Sequence, residues 1–302
     1  MSDARADIWK LNHERAIRLD RPFLVGILNI TPDSFSDGGD YNTPEQGADR
    51  ARAMLDAGAD ALDIGGESTR PGAKRISADE QIERVVPVIR AIRDAGIVLP
   101  ITIDTTLAQV ARAAIDAGAD AINDVSAGLE DDGMLSLAGD KQCGLILMHR
   151  ERPPKADQFS DQYENAPVRG SVTGRVVGAL REALDRAIAA GVDRESVMLD
   201  PGLGFGKDVD QNLELMRTTP ELLGLGRPVM SALSRKSFVG RVSLGRDSDP
   251  GERLAGTLVC STLHLSFGAR VFRVHDVGEH RAALDAAFRV LCPDSGNAEP
   301  SD

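Results

Sequence analysis

Positive charge is in short supply in this chain. Lysine and arginine number 35 against 47 aspartates and glutamates, leaving a formal charge of −12 at pH 7. Nucleic-acid binding needs a basic field, so no nucleic-acid partner is expected. Cysteine is equally scarce: Cys143, Cys260 and Cys292 stand far apart and form neither a disulfide framework nor a metal motif. The five histidines, His13, His149, His264, His275 and His280, lack zinc-site spacing. His264 falls in an apolar helical pattern and reads as structural. No apolar run approaches the length of a membrane span, so no membrane partner is expected. The start, Met1-Ser2-Asp3-Ala4-Arg5-Ala6-Asp7, lacks the apolar segment of a leader, which makes a cytoplasmic enzyme the expectation. Familiar signatures are missing as well. Asp200-Pro201-Gly202-Leu203-Gly204-Phe205-Gly206-Lys207 resembles a phosphate loop, but Pro201 stands where that motif needs its first glycine and Asp208 where it needs Ser or Thr. Lys207 likewise occupies the third glycine position of a dinucleotide fingerprint, and there is no nucleophile elbow.

What the chain does have is one arrangement used repeatedly. Hydrophobic residues are 42% of 302, enough for a sizeable core in one domain. Phe23-Leu24-Val25-Gly26-Ile27-Leu28 reads as a buried strand and runs into Asn29-Ile30-Thr31-Pro32-Asp33-Ser34-Phe35-Ser36-Asp37-Gly38-Gly39. Folding alone requires nothing so polar there. Carboxylates, an amide, hydroxyls and a lone Phe describe a functional loop on a strand end. Ala61 to Ile64 leads similarly into Gly65 to Ala73, Ile101 to Ile103 into Asp104-Thr105, and Ala121-Ile122 into Asn123-Asp124. Leu145 to Leu147 ends in Met148-His149, and Val197 to Leu199 in Asp200-Pro201-Gly202. Pro228 to Ala232 leads to Ser234-Arg235-Lys236, and Val271-Phe272 to Arg273-Val274-His275-Asp276.

Helical patterns fill the intervals. Ile82, Val85, Val86 and Ile89 follow helical spacing, as do Val110, Ala113 and Ala114, and Val177, Leu180, Leu184 and Ile188. Thr43-Pro44-Glu45-Gln46 and Ser77-Ala78-Asp79-Glu80 read as capping boxes, and Gly58, Gly96 and Gly118 as helix stops. The hexapeptide Asp-Ala-Gly-Ala-Asp-Ala occurs at Asp56 to Ala61 and again at Asp116 to Ala121, each time between a helix and a strand. Eight such βα units predict an α/β fold, a single (β/α)8 barrel over 23–292 with its site at the C-terminal ends of the strands. An open doubly wound sheet is the alternative, but it would not call for polar groups after every strand. Residues 1–22 are expected as an N-terminal extension covering the barrel bottom, and 293–302 as a flexible tail.

At the strand ends, Asp104, Asn123 and Asp200 offer acceptors suited to the amine and amide edge of a flat heterocycle. Lys236, Arg273 and His275 come from the last two units, where barrels often bind phosphate. Internal ion pairing across the barrel mouth is the competing reading, above all for Asp63, whose place inside a strand looks structural.

In their order along the chain these motifs resemble those of the dihydropteroate synthases. The resemblance covers roughly residues 23–290 and rests on N-I-T-P-D-S-F-S-D-G-G from Asn29, G-G-E-S-T-R-P-G-A from Gly65, D-T at Asp104, N-D at Asn123, M-H at Met148, D-P-G-L-G-F-G-K from Asp200, S-R-K-S-F from Ser234 and R-V-H-D from Arg273. It implies that 6-hydroxymethyl-7,8-dihydropterin diphosphate and 4-aminobenzoate combine to give 7,8-dihydropteroate and diphosphate, a step of folate biosynthesis, with Mg2+ accompanying the diphosphate. By the same resemblance Asp104, Asn123, Met148, Asp200 and Lys236 bind the pterin. Asn29, Thr69, Arg273 and His275 hold the diphosphate, and Asn29 reaches Mg2+. Phe35, Thr69, Arg70, Pro71, Phe205 and Ser237 line the 4-aminobenzoate pocket, and Asp37 faces the cation developing on the pterin methylene. Asp37, Lys236, Arg273 and His275 then carry catalysis. A homodimer is also implied, with Leu254, Leu258 and Leu265 as a possible interface.

One region departs from the family. After His149 the chain reads Arg150-Glu151-Arg152-Pro153-Pro154-Lys155-Ala156-Asp157-Gln158, and Arg152 and Asp157 occupy positions where a Gly and a second Met are usual. Other readings remain: a methyltetrahydrofolate-binding pterin module, which would not need S-T-R-P-G-A or S-R-K-S-F, a non-catalytic pterin-binding paralogue, and a Schiff-base aldolase acting through Lys236.

Overall fold

In the computed structural model, which describes residues 7–11, 15–30 and 43–293, the repeated units close into a barrel. A short antiparallel hairpin of β1 (Ile8–Lys10) and β2 (Ala16–Arg18) comes first. The barrel strands are β3 (Phe23–Asn29), β4 (Ala61–Gly65), β5 (Ile101–Asp104), β6 (Ala121–Asp124), β7 (Gly144–Met148), β8 (Val197–Asp200), β9 (Met230–Ser231) and β10 (Val271–Val274). Each pairs in parallel with the next from β3 to β8, and β10 pairs with both β3 and β9. A parallel bridge from Leu199 to Val229 joins the remaining edges. The eight-stranded sheet therefore returns to its start, the (β/α)8 architecture expected, and the open-sheet alternative falls away.

The helices are α1 (Pro44–Asp56), α2 (Ala78–Asp94), α3 (Ala108–Asp116), α4 (Met134–Lys141), α5 (Val172–Ala189), α6 (Val209–Arg217), α7 (Thr219–Leu223), α8 (Ser237–Leu244), α9 (Leu254–Ser266) and α10 (Val277–Leu291). The apolar faces of α1 to α8 and the strand residues beneath them form one core, including Leu28, Leu62, Ile103, Ile122, Leu145 and Leu199, while Leu265 of α9 and Val277 and Leu284 of α10 pack with Leu24 and Phe272 in a satellite cluster. A second core fills the barrel floor. There Trp9, Leu11 and Leu19 pack on Phe23, Val25, Ala61, Ala121, Ile146, Met198, Met230 and Val271. Trp9 Nε1 donates to the Ser196 carbonyl at 2.9 Å, and a Cβ on Gly144 would lie 3.1 Å from its ring. The hairpin thus seals the end opposite the polar strand termini.

Several local expectations change on contact with the structure. Thr43 makes both bonds of a capping box with Gln46. Ser77 makes only one, accepting from the Glu80 amide at 3.1 Å, because the Glu80 carboxylate turns to Arg84 one helical turn on, at 2.5 Å. Gly58, Gly96 and Gly118 follow the ends of α1, α2 and α3 with positive φ, as helix stops require. On α5 the buried face runs through Val176, Leu180, Ala183 and Ala187, so Ile188 is exposed. On α9 Leu265 belongs to the core, while Val259 and Leu263 face outward. Residues 294–302, and with them most of the expected tail, lie outside the described residues.

Candidate active site

The strands end on one rim, and the groups carried there surround a cavity of about 520 Å³. Asn29 ends β3, Asp104 ends β5, Met148 ends β7 and Asp200 ends β8, with Asn123 in β6 and Arg273 in β10. These six line the cavity together with Thr69, Arg70, Pro71, Phe205, Lys236, Ser237 and His275. Thirteen of the fifteen residues singled out in the sequence therefore share one space. Phe35 and Asp37 lie outside the described residues.

Asp63 ties the interior together. It is fully buried in β4 and accepts from Arg273 Nε at 2.5 Å, from Asn123 Nδ2 at 3.3 Å with both carboxylate oxygens, and from Thr102 Oγ1. The structural reading of Asp63 holds, and it has a consequence for the site. Arg273 also donates to Asp104 Oδ2 at 2.9 Å, so one guanidinium spans two carboxylates. Asp104 Oδ1 and Asn123 Oδ1 are left buried without a partner. Buried polar atoms are nearly always paired in native proteins, so two orphan acceptors on adjacent strand ends mark a place for donors from a ligand. Burial pushes the Asp104 carboxyl up to about 7, against the pull of Arg273. Burial also raises Asp200, whose Oδ1 accepts from the Gly202 amide at 2.7 Å, although Lys236 opposes the shift.

The loop after β8 is shaped by its glycines. Gly202 and Gly204 have φ of +67° and +81°. A Cβ on the first would lie 1.8 Å from the His149 carbonyl, and on the second 2.6 Å from Lys236 Cδ. Only glycine permits this close approach. The loop is pinned from within by Lys207, which is fully buried and donates to the carbonyls of Gly202 at 2.9 Å, Phe205 at 3.0 Å and His149 at 3.3 Å. Lys236 lies over the Phe205 ring, 4.2 Å from its centre, and donates to the Leu203 carbonyl. Burial brings its ammonium down to about 8.

On the far side, the His275 backbone amide donates to Ser234 Oγ at 3.2 Å, and Nδ1 pairs with the same hydroxyl. Burial, with Arg273 nearby, takes the imidazole down to about 3. Arg253 was not foreseen. It lines the cavity and donates to the Arg235 carbonyl at 2.8 Å and to Ser248 Oγ at 3.1 Å. Arg235 is itself held by Asp276 at 2.9 Å. No motif marks Arg253; the Asp249-Pro250-Gly251-Glu252 turn before α9 is the single sequence signal nearby. Among the described residues no group of three His, Cys, Asp or Glu could hold a metal by itself. No helix among them is long and apolar enough to cross a membrane.

Comparison with known proteins fits this geometry. The sequence model of the pterin binding enzyme family matches residues 25–275. A dihydropteroate synthase of Synechocystis sp. is 42% identical over 257 residues, 85% of this chain and 86% of that protein. A probable bifunctional folylpolyglutamate synthase/dihydropteroate synthase of Haloferax volcanii is 40% identical over 99% of this chain, which spans only 33% of that longer protein. Two solved structures of Xanthomonas albilineans dihydropteroate synthase share the fold. The one with 4-aminobenzoic acid has a TM-score of 0.84 at 39% identity over 95% of this chain and 99% of that one. The one with 7,8-dihydropteroate has a TM-score of 0.78 at 37% identity over 92% and 97%. On family model, relatives and barrel alike, this chain belongs to the pterin binding enzymes, among the dihydropteroate synthases.

Proposed function

We infer that this chain joins 6-hydroxymethyl-7,8-dihydropterin diphosphate to 4-aminobenzoate, releasing diphosphate and forming 7,8-dihydropteroate. The observation that carries this reading is the pair of buried, unpartnered acceptors, Asp104 Oδ1 and Asn123 Oδ1, within a cavity that also holds Lys236, Arg273 and His275. A pterin presents N–H donors along one edge, and Asp104, Asn123 and Asp200 receive them. Met148 packs on the ring, and Lys236 covers it from the Phe205 side. Asn29, Thr69, Arg273 and His275 bind the diphosphate. Thr69, Arg70, Pro71, Phe205 and Ser237, with Phe35, form the amine pocket. The carboxylate of 4-aminobenzoate meets the start of α8, where the Ser237 and Phe238 amides precede the first helical hydrogen bond, from Val239 to the Lys236 carbonyl.

No covalent enzyme nucleophile is required. The bond from the pterin methylene to the diphosphate oxygen breaks, its electron pair leaving with diphosphate. The amine nitrogen then attacks the methylene and gives up a proton. Arg273 and His275 stabilise the departing anion, and Asp37 faces the cation. Asn29, an amide oxygen on the rim, suits Mg2+, which takes few protein ligands and relies on phosphate oxygens and water. Bound there, Mg2+ would neutralise charge on the diphosphate. The chain acts in the cytoplasm, and as a homodimer through the outward face of α9.

The test is amine-dependent diphosphate release. Enzyme, Mg2+ and pterin diphosphate should liberate diphosphate and form dihydropteroate in equal amounts once 4-aminobenzoate is added. Absence of both would sink the assignment. Cleavage ahead of attack further predicts scrambling of bridging and non-bridging oxygens in labelled pterin diphosphate without the amine.

A further inference from the structure

The segment that departs from the family pattern, residues 150–157 after β7, contributes no residue to the cavity lining. Its polar groups go instead to the loops that do. Arg150 donates to Glu130, whose second oxygen accepts from Arg75 at 2.5 Å and from Thr106 Oγ1 at 2.5 Å. The Pro154 carbonyl accepts from the Gly72 amide at 3.0 Å. Asp157 accepts from the Gly206 amide at 2.8 Å and the Tyr163 hydroxyl at 2.6 Å. Arg75 and Gly72 follow Thr69-Arg70-Pro71, and Gly206 follows Phe205. One stretch of chain therefore fastens both side walls of the amine pocket.

Apart from the backbone bond between Gly72 and Pro154, these fastenings end on carboxylates and are of the strong kind. Carboxylates that accept from guanidinium or backbone N–H groups form charge-assisted hydrogen bonds. Burial would raise the Glu130 carboxyl, but donors from Thr106, Arg75 and Arg150 hold it down at about 2. The Arg150 and Glu130 side chains are only 10% and 19% exposed, so water competes weakly. At the other anchor, a Cβ on Gly206 would lie 2.6 Å from Glu151 Cβ, so strap and loop are in direct contact.

We propose that residues 150–157 form a strap, and that its anchors Arg150 and Asp157 are positioning residues that set the spacing between Thr69-Arg70-Pro71 and Phe205, and so the fit of the flat aromatic amine. The pocket role rests on the function proposed above; the fastening itself does not.

Hydrogen exchange on the full, ligand-free chain tests the fastening. In Asp157→Ala the Gly206 amide loses its acceptor, and peptides covering 203–208 should exchange about five- to tenfold faster, the factor one hydrogen bond confers. Asp157→Asn keeps an acceptor and should restore slow exchange. Arg150→Ala should speed exchange in peptides covering 69–76 by a similar factor. In steady state each alanine variant should raise KM for 4-aminobenzoate about five- to tenfold, with kcat and KM for the pterin diphosphate within about twofold of wild type. Wild-type exchange in both alanine variants overturns the strap, whatever the chain catalyses. Equal rises in both KM values overturn the positioning role, since a general loosening would do that. A wild-type chain that makes no dihydropteroate removes the amine-pocket role along with the proposed reaction, while exchange still decides the fastening.

Discussion

Asp104 holds an oxygen that is buried and unpartnered, a costly state unless a ligand completes it. Its carboxyl, pushed up to about 7 by burial, is partly protonated near neutral pH. A pterin N–H donor favours the carboxylate, so binding lowers this value and releases a proton. Affinity for a neutral pterin analogue should therefore climb as pH rises toward about 7 and level off above it. Calorimetry in buffers of different ionisation enthalpy checks the sign; a heat independent of buffer near that pH argues against it. Lys236 makes a second prediction. Lys236→Ala removes a preorganised cation from above Phe205, and turnover should fall about a hundredfold or more, roughly 3 kcal/mol of barrier, with the far-UV spectrum unchanged. Near-normal turnover would remove Lys236 from the catalytic set. At this scale Asp104, Asn123 and Asp200 were legible as residues of the cavity, because polar groups recurring at the ends of apolar runs gather on one rim of a barrel. Arg253, Glu130 and Asp157 were not. Their partners lie on other loops, and a pairing such as Arg75 with Glu130, 55 residues apart, leaves no periodic trace in the sequence.

Among the elements, the loop after β8 depends on one internal cation. Lys207 supplies the donors for three carbonyls and is fully buried doing so. Methionine matches its length but donates nothing. Lys207→Met should therefore leave buried acceptors unsatisfied, at about 1–3 kcal/mol each. For a chain of this size each kcal/mol lowers the melting temperature by about 2–4 °C. Pterin and amine binding should weaken together, since Asp200 is bonded to Gly202 and Lys236 to the Leu203 carbonyl. A melting temperature equal to wild type would show that the carbonyls find water instead. The strands were readable as near-continuous apolar runs because helices cover their outer faces. Ser77 was misread because Glu80 can serve either as a cap or as a partner for Arg84, and spacing does not choose between them.

For the molecule as a whole, a buried neutral histidine contributes to the loss of stability in acid. His264 lies fully buried between Ser231 Oγ and Thr219 Oγ1, each at 2.8 Å, and burial takes it from 6.5 to about 4. The unfolded chain then binds a proton before the folded one does. The stability this group contributes is complete above about 6.5 and is lost as pH falls through about 4. The loss is on the order of 3 kcal/mol. Melting temperature should fall across that window, and less steeply in His264→Gln; parallel slopes would count against the assignment. The outward face of α9 bears on assembly. Val259 and Leu263 are 58% and 49% exposed, and Val242 and Leu244 on α8 are exposed as well. Val259→Asp combined with Leu263→Asp should halve the mass seen in sedimentation if this is the dimer face. An unchanged mass would remove this face from the proposed assembly. The barrel was legible because its signal repeats in every unit; this face was misjudged at Leu265 because an apolar helix carries little to distinguish its inner side from its outer.

The chain's one tryptophan is Trp9, wholly buried in the barrel floor and bonded to the Ser196 carbonyl. Excited at the red edge of protein absorption, this molecule therefore has a single emitter, and that emitter is far from the strand ends where ligands act. Its emission maximum should be blue-shifted in the folded protein and keep that position when pterin or amine binds. A red shift would report that the hairpin has left the floor. The fold thus carries its own optical control, one able to tell a variant that has lost its site from a variant that has lost its barrel.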